Sequence, residues 1–215
     1  IETTYREQMD GIYKNIQVQL GDVDKRLIYA HPKYVAGMLD FIIEDFTKSR
    51  IQYGDDTIGA MVVCNSAIEA EGKPNQAREL FNQFNAKYGD KLKAALITNE
   101  EGDKESRKNQ IRDFKDGKID ILFVFNMLLT GFDCPRLKKL YLGRVVKAHN
   151  LLQTLTRVNR PYKNFRMGYV VDFANIQHEF DVTNQAYLEE LKGEYGEGLD
   201  DDPNNIFGSI FMSRK

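Results

Sequence analysis

Arg157 and Arg160 stand three residues apart, and Gln153 stands four before the first of them. In a helix those spacings bring all three side chains onto one face. Two permanently charged, planar guanidiniums beside an amide can hold a polyphosphate through paired hydrogen bonds. An Arg-x-x-Arg pair also suits a helix end, where cations meet the negative pole of the macrodipole, so the pair alone leaves both uses open. A second polar group lies upstream, in the run Phe125-Asn-Met-Leu-Leu-Thr-Gly-Phe-Asp-Cys-Pro135. There Gly131 permits a turn or a close backbone approach to a ligand. Asp133 can accept hydrogen bonds from ribose hydroxyls, and Thr130 can offer a hydroxyl to a phosphate. Taken alone, this run also reads as a plain turn.

Such groups need elements to position them. Short apolar runs over residues 58–64, 92–98, 119–125, 139–142 and 168–173 are expected to be strands. Helical spacing recurs over 34–46, where Val35, Met38, Leu39, Ile42, Ile43 and Phe46 share one face, with His31-Pro32 as its entry. Further helices are expected over 75–88 (Ala77, Leu80, Phe81, Phe84 and Tyr88 inward), 103–115 (Ile111 and Phe114 inward), 149–158 and 177–191. Near-continuous apolar strands alternating with amphipathic helices predict an α/β fold, a parallel sheet with helices on both faces. Ligands in such sheets bind outside the carboxyl ends of the strands. That rule points to the segments after Cys64, after Phe125 and near His149. The organisation expected is a lead-in over 1–33, one domain over 34–192, and an acidic linker or tail over 193–215.

The chain has 215 residues, 42% of them hydrophobic and 29% charged, as in an ordinary globular protein. No apolar run is long enough for a transmembrane helix. Cys64 and Cys134 are far apart, and His31, His149 and His178 are isolated, so neither a disulfide framework nor a metal site is expected. The sequence starts at Ile1 without a basic-then-apolar leader, and a piece of a larger cytoplasmic protein is expected. The net charge of −2 conceals a contrast: between Arg136 and Arg166 there are nine Lys or Arg and no acidic residue. The remainder is acidic and ends in Glu189, Glu190, Glu194, Glu197 and Asp200 to Asp202. A local basic stretch on an acidic protein suits contact with a polyanion, and equally suits charges spread over several solvated faces.

The ordered motifs resemble a known family. The run Met-Leu-Leu-Thr-Gly-Phe-Asp-x-Pro resembles helicase motif V as type I restriction motor subunits carry it. Leu-Leu-Gln-x-x-x-Arg-Val-Asn-Arg-Pro is similar to their motif VI, and Gln153, Arg157 and Arg160 match the superfamily 2 pattern Gln-x-x-x-Arg-x-x-Arg. The strand end at Val63-Cys-Asn-Ser66 resembles motif IV, and the strand over 168–173 resembles the one that follows motif VI. The likeness spans about 34–176 in the right order. It implies a RecA-like (P-loop NTPase-like) three-layer α/β/α domain, the second motor domain of a type I restriction enzyme's motor and endonuclease subunit. It further implies that Arg157 and Arg160 reach the γ-phosphate of ATP held with Mg²⁺ by a preceding motor domain, one of them as an arginine finger. Gly131 and Asp133 would border the nucleotide, with Gln153 orienting the arginines. Ser66, Thr98 and Thr130 would meet the phosphate backbone of tracked double-stranded DNA, the basic stretch adding grip. The partners implied are the preceding RecA-like and nuclease domains of the same parent chain, and methyltransferase and specificity subunits, with no membrane.

Three positions depart from the family pattern: Ala67 stands where many relatives have arginine, and Asn126 and Cys134 stand where acidic and small residues are common. The sequence also has no Gly-x-x-x-x-Gly-Lys-Ser/Thr loop and no Asp-Glu pair after an apolar strand ahead of motif IV. The phosphate cradle and magnesium ligands of a P-loop motor are therefore absent. This chain alone is not expected to hydrolyse ATP or cut DNA. The alternatives are a domain of another superfamily 2 helicase or remodeller, a non-catalytic RecA-like module that binds DNA or protein, and an unrelated doubly wound enzyme.

Overall fold

The computed structural model describes residues 2–21, 25–66, 75–99, 102–128, 132–144, 146, 153–154 and 156–173. The helix expected over 177–191 and the acidic segment 193–215 lie outside the described residues. Five strands, β1 (Gly59–Val63), β2 (Ala94–Ile97), β3 (Ile121–Val124), β4 (Leu137–Leu142) and β5 (Tyr169–Asp172), are all parallel. They run in the order β2-β3-β1-β4-β5. Around them lie α1 (Glu2–Leu20), α2 (Lys25–Tyr29), α3 (Pro32–Tyr53), α4 (Gln76–Tyr88) and α5 (Lys104–Lys115).

Side chains of a strand point alternately to its two faces, and β1 shows what each face is for. Ala60, Val62 and Cys64 join one buried cluster with Val35, Met38, Leu39, Ile42 and Phe46 of α3 and Leu80 and Phe84 of α4. Met61 and Val63 join a second cluster with Phe114 of α5, Phe132 and Val158. The centre of the sheet is thus covered on both sides, which makes the three-layer α/β/α arrangement expected from the alternating pattern. Met9 and Ile16 of α1 enter the same cluster as α3.

Local chemistry sets the helix ends. His31 Nδ1 accepts from Lys33 N at 3.2 Å, and Pro32 occupies the first turn of α3, where its missing N–H costs nothing. That helix stops at Gly54, whose φ of 61° is the left-handed conformation glycine adopts without a Cβ penalty. Asn75 and Asp103 cap α4 and α5 through side-chain oxygens at 2.7 Å and 2.6 Å from Arg78 N and Ser106 N.

β4 differs from expectation at its start. It begins at Leu137, two residues earlier than the expected 139, and takes in Lys138. Gly59 of β1 is opposite Leu137, while the next residue, Ala60, is opposite Lys139. Lys138 is therefore an extra residue on β4, a bulge of the kind that re-aims a side chain.

The basic stretch is also not a surface feature throughout. Arg136, Lys138 and Lys139 are 4%, 1% and 5% exposed. Arg136 donates to Thr57 O at 2.8 Å, to Ile119 O at 2.9 Å and to Phe114 O, with its guanidinium 4.8 Å from the Phe114 ring. Lys139 pairs with Asp45 of α3 at 2.6 Å. A third of the stretch holds the layers together, because buried carbonyls and a half-buried carboxylate on neighbouring elements demand cationic donors.

Candidate functional site

Phe132, Asp133 and Cys134 lead into β4. Phe132 and Cys134 are 4% and 3% exposed, and the Phe132 ring lies 6.2 Å from that of Phe114 on α5. With its two neighbours anchored inside, Asp133 is turned outward, its side chain 59% exposed. The helical residues of the arginine segment, 153–154 and 156–158, cover the same face of the sheet. Thr154 and Val158, one turn apart, are each 1% exposed and form its inner side.

That seating brings the two motifs together. Arg160 forms an ion pair with Asp133, and Arg157 Nη1 donates to Phe132 O at 3.1 Å. The Arg160 side chain is 41% exposed. Arg157 Nε is buried and has no hydrogen-bond partner among the described residues. Such an unused donor beside a half-exposed guanidinium is a place where an anion can add hydrogen bonds at little further desolvation cost. Gln153 is half-buried, one helical turn ahead of Arg157. Thr130 and Gly131 lie outside the described residues.

The arginines do not sit beyond a strand's carboxyl end, as the rule for doubly wound sheets predicts. Their partners are residues entering β4, because a helix that follows a parallel strand runs back across the sheet toward the strands' amino ends. The carboxyl ends hold a different group. Ser66, just past β1, accepts from Gln76 N at 3.0 Å through its Oγ, and its O–H remains able to donate. Gln76, fully buried, holds Asn65 N at 2.6 Å and Tyr29 O at 3.1 Å. Thr98, past β2, is 3% exposed, so its hydroxyl lies inside the fold.

Arg144, Lys138 and Asn126, the last noted above only as a departure from the family pattern, belong to these two places. Arg144, past β4, donates to Asn126 Oδ1 at 2.6 Å, and its Nε is buried without a partner among the described residues. Burial pulls the Arg144 pKa below its ordinary value, against the opposing pull of Cys64. Asn126, past β3, has φ 54°, and Leu128 has φ 62°. Left-handed conformations are uncommon for residues other than glycine and cluster at functional loops. Lys138 donates from Nζ to Val158 O at 3.2 Å and to Arg160 O. Burial pushes the Lys138 pKa down to about 8. A charged residue inside an apolar strand was the available signal for Lys138, and its place in a basic run masked it.

Both thiols are ill suited to nucleophilic work. Burial pushes the Cys64 pKa up to about 12 and raises that of Cys134. Among the described residues no cluster of His, Cys, Asp and Glu could hold a metal ion, and no helix is long and apolar enough to cross a membrane.

Comparison with known proteins agrees in one direction. The family described as type I restriction enzyme subunit R domain 3 matches residues 13–175. The type I restriction enzyme HindI endonuclease subunit of Haemophilus influenzae is 34% identical over 102 residues, 45% of this chain and 10% of that protein. The SauCOLORF180P endonuclease subunit of Staphylococcus aureus is 33% identical over 111 residues, 50% of this chain and 12% of that protein. The matched part of the chain thus spans only about a tenth of the length of these relatives. Similar solved structures include Saccharomyces cerevisiae Dbp5 bound to RNA and ADP BeF3, at 15% identity and TM-score 0.48, covering 82% of this chain and 42% of that one. Another is Mss116p DEAD-box helicase domain 2 bound to an RNA duplex, at 13% identity and TM-score 0.46, covering 86% of this chain and 67% of that one.

Proposed function

This chain belongs to the type I restriction enzyme subunit R domain 3 family, and from that membership we propose that it is the second motor domain of an ATP-dependent DNA translocase within a type I restriction endonuclease. The observation that carries the reading is the junction of Arg157 and Arg160 with Phe132 and Asp133. Two segments about 25 residues apart meet at a rim where one guanidinium is half-exposed and the other keeps a buried donor without a partner among the described residues.

A nucleotide fits these residues. Arg157 and Arg160 offer fixed positive charge to a γ-phosphate, and Asp133, once exchanged from Arg160, offers a carboxylate to ribose hydroxyls. ATP with Mg²⁺, held mainly by a preceding motor domain, supplies the phosphoryl group whose transfer releases the free energy for movement. In that scheme Asp133 keeps Arg160 ordered until the nucleotide's negative charge competes for it, so the finger is oriented in advance and little reorganisation remains. Gln153 lies on the same side of the segment as Arg157 and orients it. Ser66, whose O–H remains able to donate, and Thr130 are the proposed contacts to the DNA backbone; Thr98 would support that edge from beneath.

The whole enzyme would translocate and cut foreign unmethylated DNA together with its nuclease domain and its methyltransferase and specificity subunits. The test is DNA-stimulated ATP hydrolysis by the full-length subunit with those partners present. Arg160→Ala and Arg157→Ala should each lower kcat by about 10²- to 10³-fold while the KM for ATP changes little. Near-normal turnover in both variants would reduce the pair to a structural contact and defeat the reading.

A further inference from the structure

Resting on that reading of the arginines, we propose that Lys138 is their positioning residue: its ammonium, delivered by the bulge in β4, holds the carbonyls of Val158 and Arg160 and so fixes the backbone that carries both guanidiniums. The last carbonyls of a helix have no partner within it, and a cation at that end also meets the negative pole of the macrodipole. Here Lys138 Nζ donates to Val158 O at 3.2 Å and to Arg160 O, the two carbonyls on either side of Asn159. The bulge matters because an unbroken register with β1 would leave no extra residue at this position.

The opposite side of the same backbone is closed too. A Cβ on Gly168, just ahead of β5, would lie 2.4 Å from Val158 O and 2.5 Å from Val158 Cβ. Gly168 N donates to Asn159 Oδ1 at 3.3 Å. Residues 158–160 are therefore gripped between Lys138 on β4 and Gly168 beside β5, with Arg157 immediately before the grip and Arg160 inside it. The neighbouring buried cations serve other elements: Arg136 holds Thr57, Phe114 and Ile119, and Lys139 holds Asp45.

Stability does not explain the choice of lysine. Burial disfavours its charge and pulls its pKa down to about 8, whereas an unbranched apolar side chain would fill similar space without that cost. What a buried ammonium adds is directed hydrogen bonds, which specify where the arginine backbone sits.

The test uses the full-length subunit with its partners and measures DNA-stimulated ATP hydrolysis. Lys138→Met and Gly168→Ala disturb the grip from opposite sides, and each should lower kcat by about ten- to a hundred-fold. The KM for ATP and the nucleotide-free DNA affinity should stay within about two-fold of wild type, a split that general loosening of the fold would not give. Placed in the Arg160→Ala background, Lys138→Met should cost less than it does alone, because part of its effect passes through that arginine. Wild-type turnover in Lys138→Met, or losses that multiply in the double variant, would overturn the inference while leaving the arginines' role intact. Wild-type turnover in both Arg160→Ala and Arg157→Ala would remove the reading beneath it and the inference together.

Discussion

At Arg136 and Lys138 a full positive charge sits inside the fold with backbone carbonyls as its partners. The two differ in what their loss would do. Arg136 satisfies carbonyls from three different segments, so Arg136→Ala leaves several buried acceptors orphaned beside a cavity. Urea unfolding should show a loss of about 3 kcal/mol or more, and an unchanged midpoint would mean that water replaces the guanidinium. Lys138 carries a cost of its own. Its pKa of about 8 lies below the ordinary 10.5. Between those values the unfolded chain binds more protons than the folded one, so stability rises with pH. The cost is fully present below about pH 8 and is relieved as pH rises toward 10.5. Wild type should therefore gain on Lys138→Met in urea midpoint between about pH 7.5 and 10. A constant difference between the two would show that the ammonium is well solvated. Motif spacing singled out Arg157, Arg160 and Asp133 as candidates, because it is a local property of the chain. It did not disclose Lys138, whose role depends on a bulge and on a backbone segment about twenty residues away.

The same division holds for elements. Helix starts at Asn75 and Asp103 were readable because capping uses side chains within a few residues of the end, and β1, β3 and β5 were readable from apolar runs bounded by polar ones. The boundary of β4 was misjudged because lysines argue against a buried strand unless their partners are known. The position of the arginine segment has a topological cause. Strand ends mark where the sheet opens, but the returning helix carries its last turn back toward the start of β4. Ser66 shows how one residue can serve two elements. Its Oγ accepts from Gln76 N at the first turn of α4, a donor with no partner inside the helix. Ser66→Ala should thus cost about 1 kcal/mol in a urea or thermal melt with no DNA present. Full stability in that variant would free the hydroxyl for a purely surface role.

Across the whole molecule, the inward turn of some cations limits how this domain can grip a polyanion. Each phosphate neutralised contributes about −0.9 to the slope of log K against log salt. If all nine cations between Arg136 and Arg166 met DNA, this stretch would contribute a slope of about −8. Arg136, Lys138 and Lys139 are buried, and Arg157 and Arg160 belong to the proposed nucleotide site. Lys163 pairs with Asp55 at 3.0 Å. That leaves Arg144, Arg166 and Lys147, the last outside the described residues, and a contribution of about −3. Arg144 is the strongest of them, since it follows Gly143, whose carbonyl accepts from Asn65 Nδ2 at 3.4 Å beside Ser66. Its own Nε is buried without a partner among the described residues. Replacing Arg144 and Arg166 by alanine in the full-length subunit should flatten the salt dependence of DNA binding by about two phosphate contacts. The same double variant should leave the KM for ATP unchanged. An unaltered slope would mean that DNA runs elsewhere on the enzyme and that Arg144 serves only the loop at Asn126.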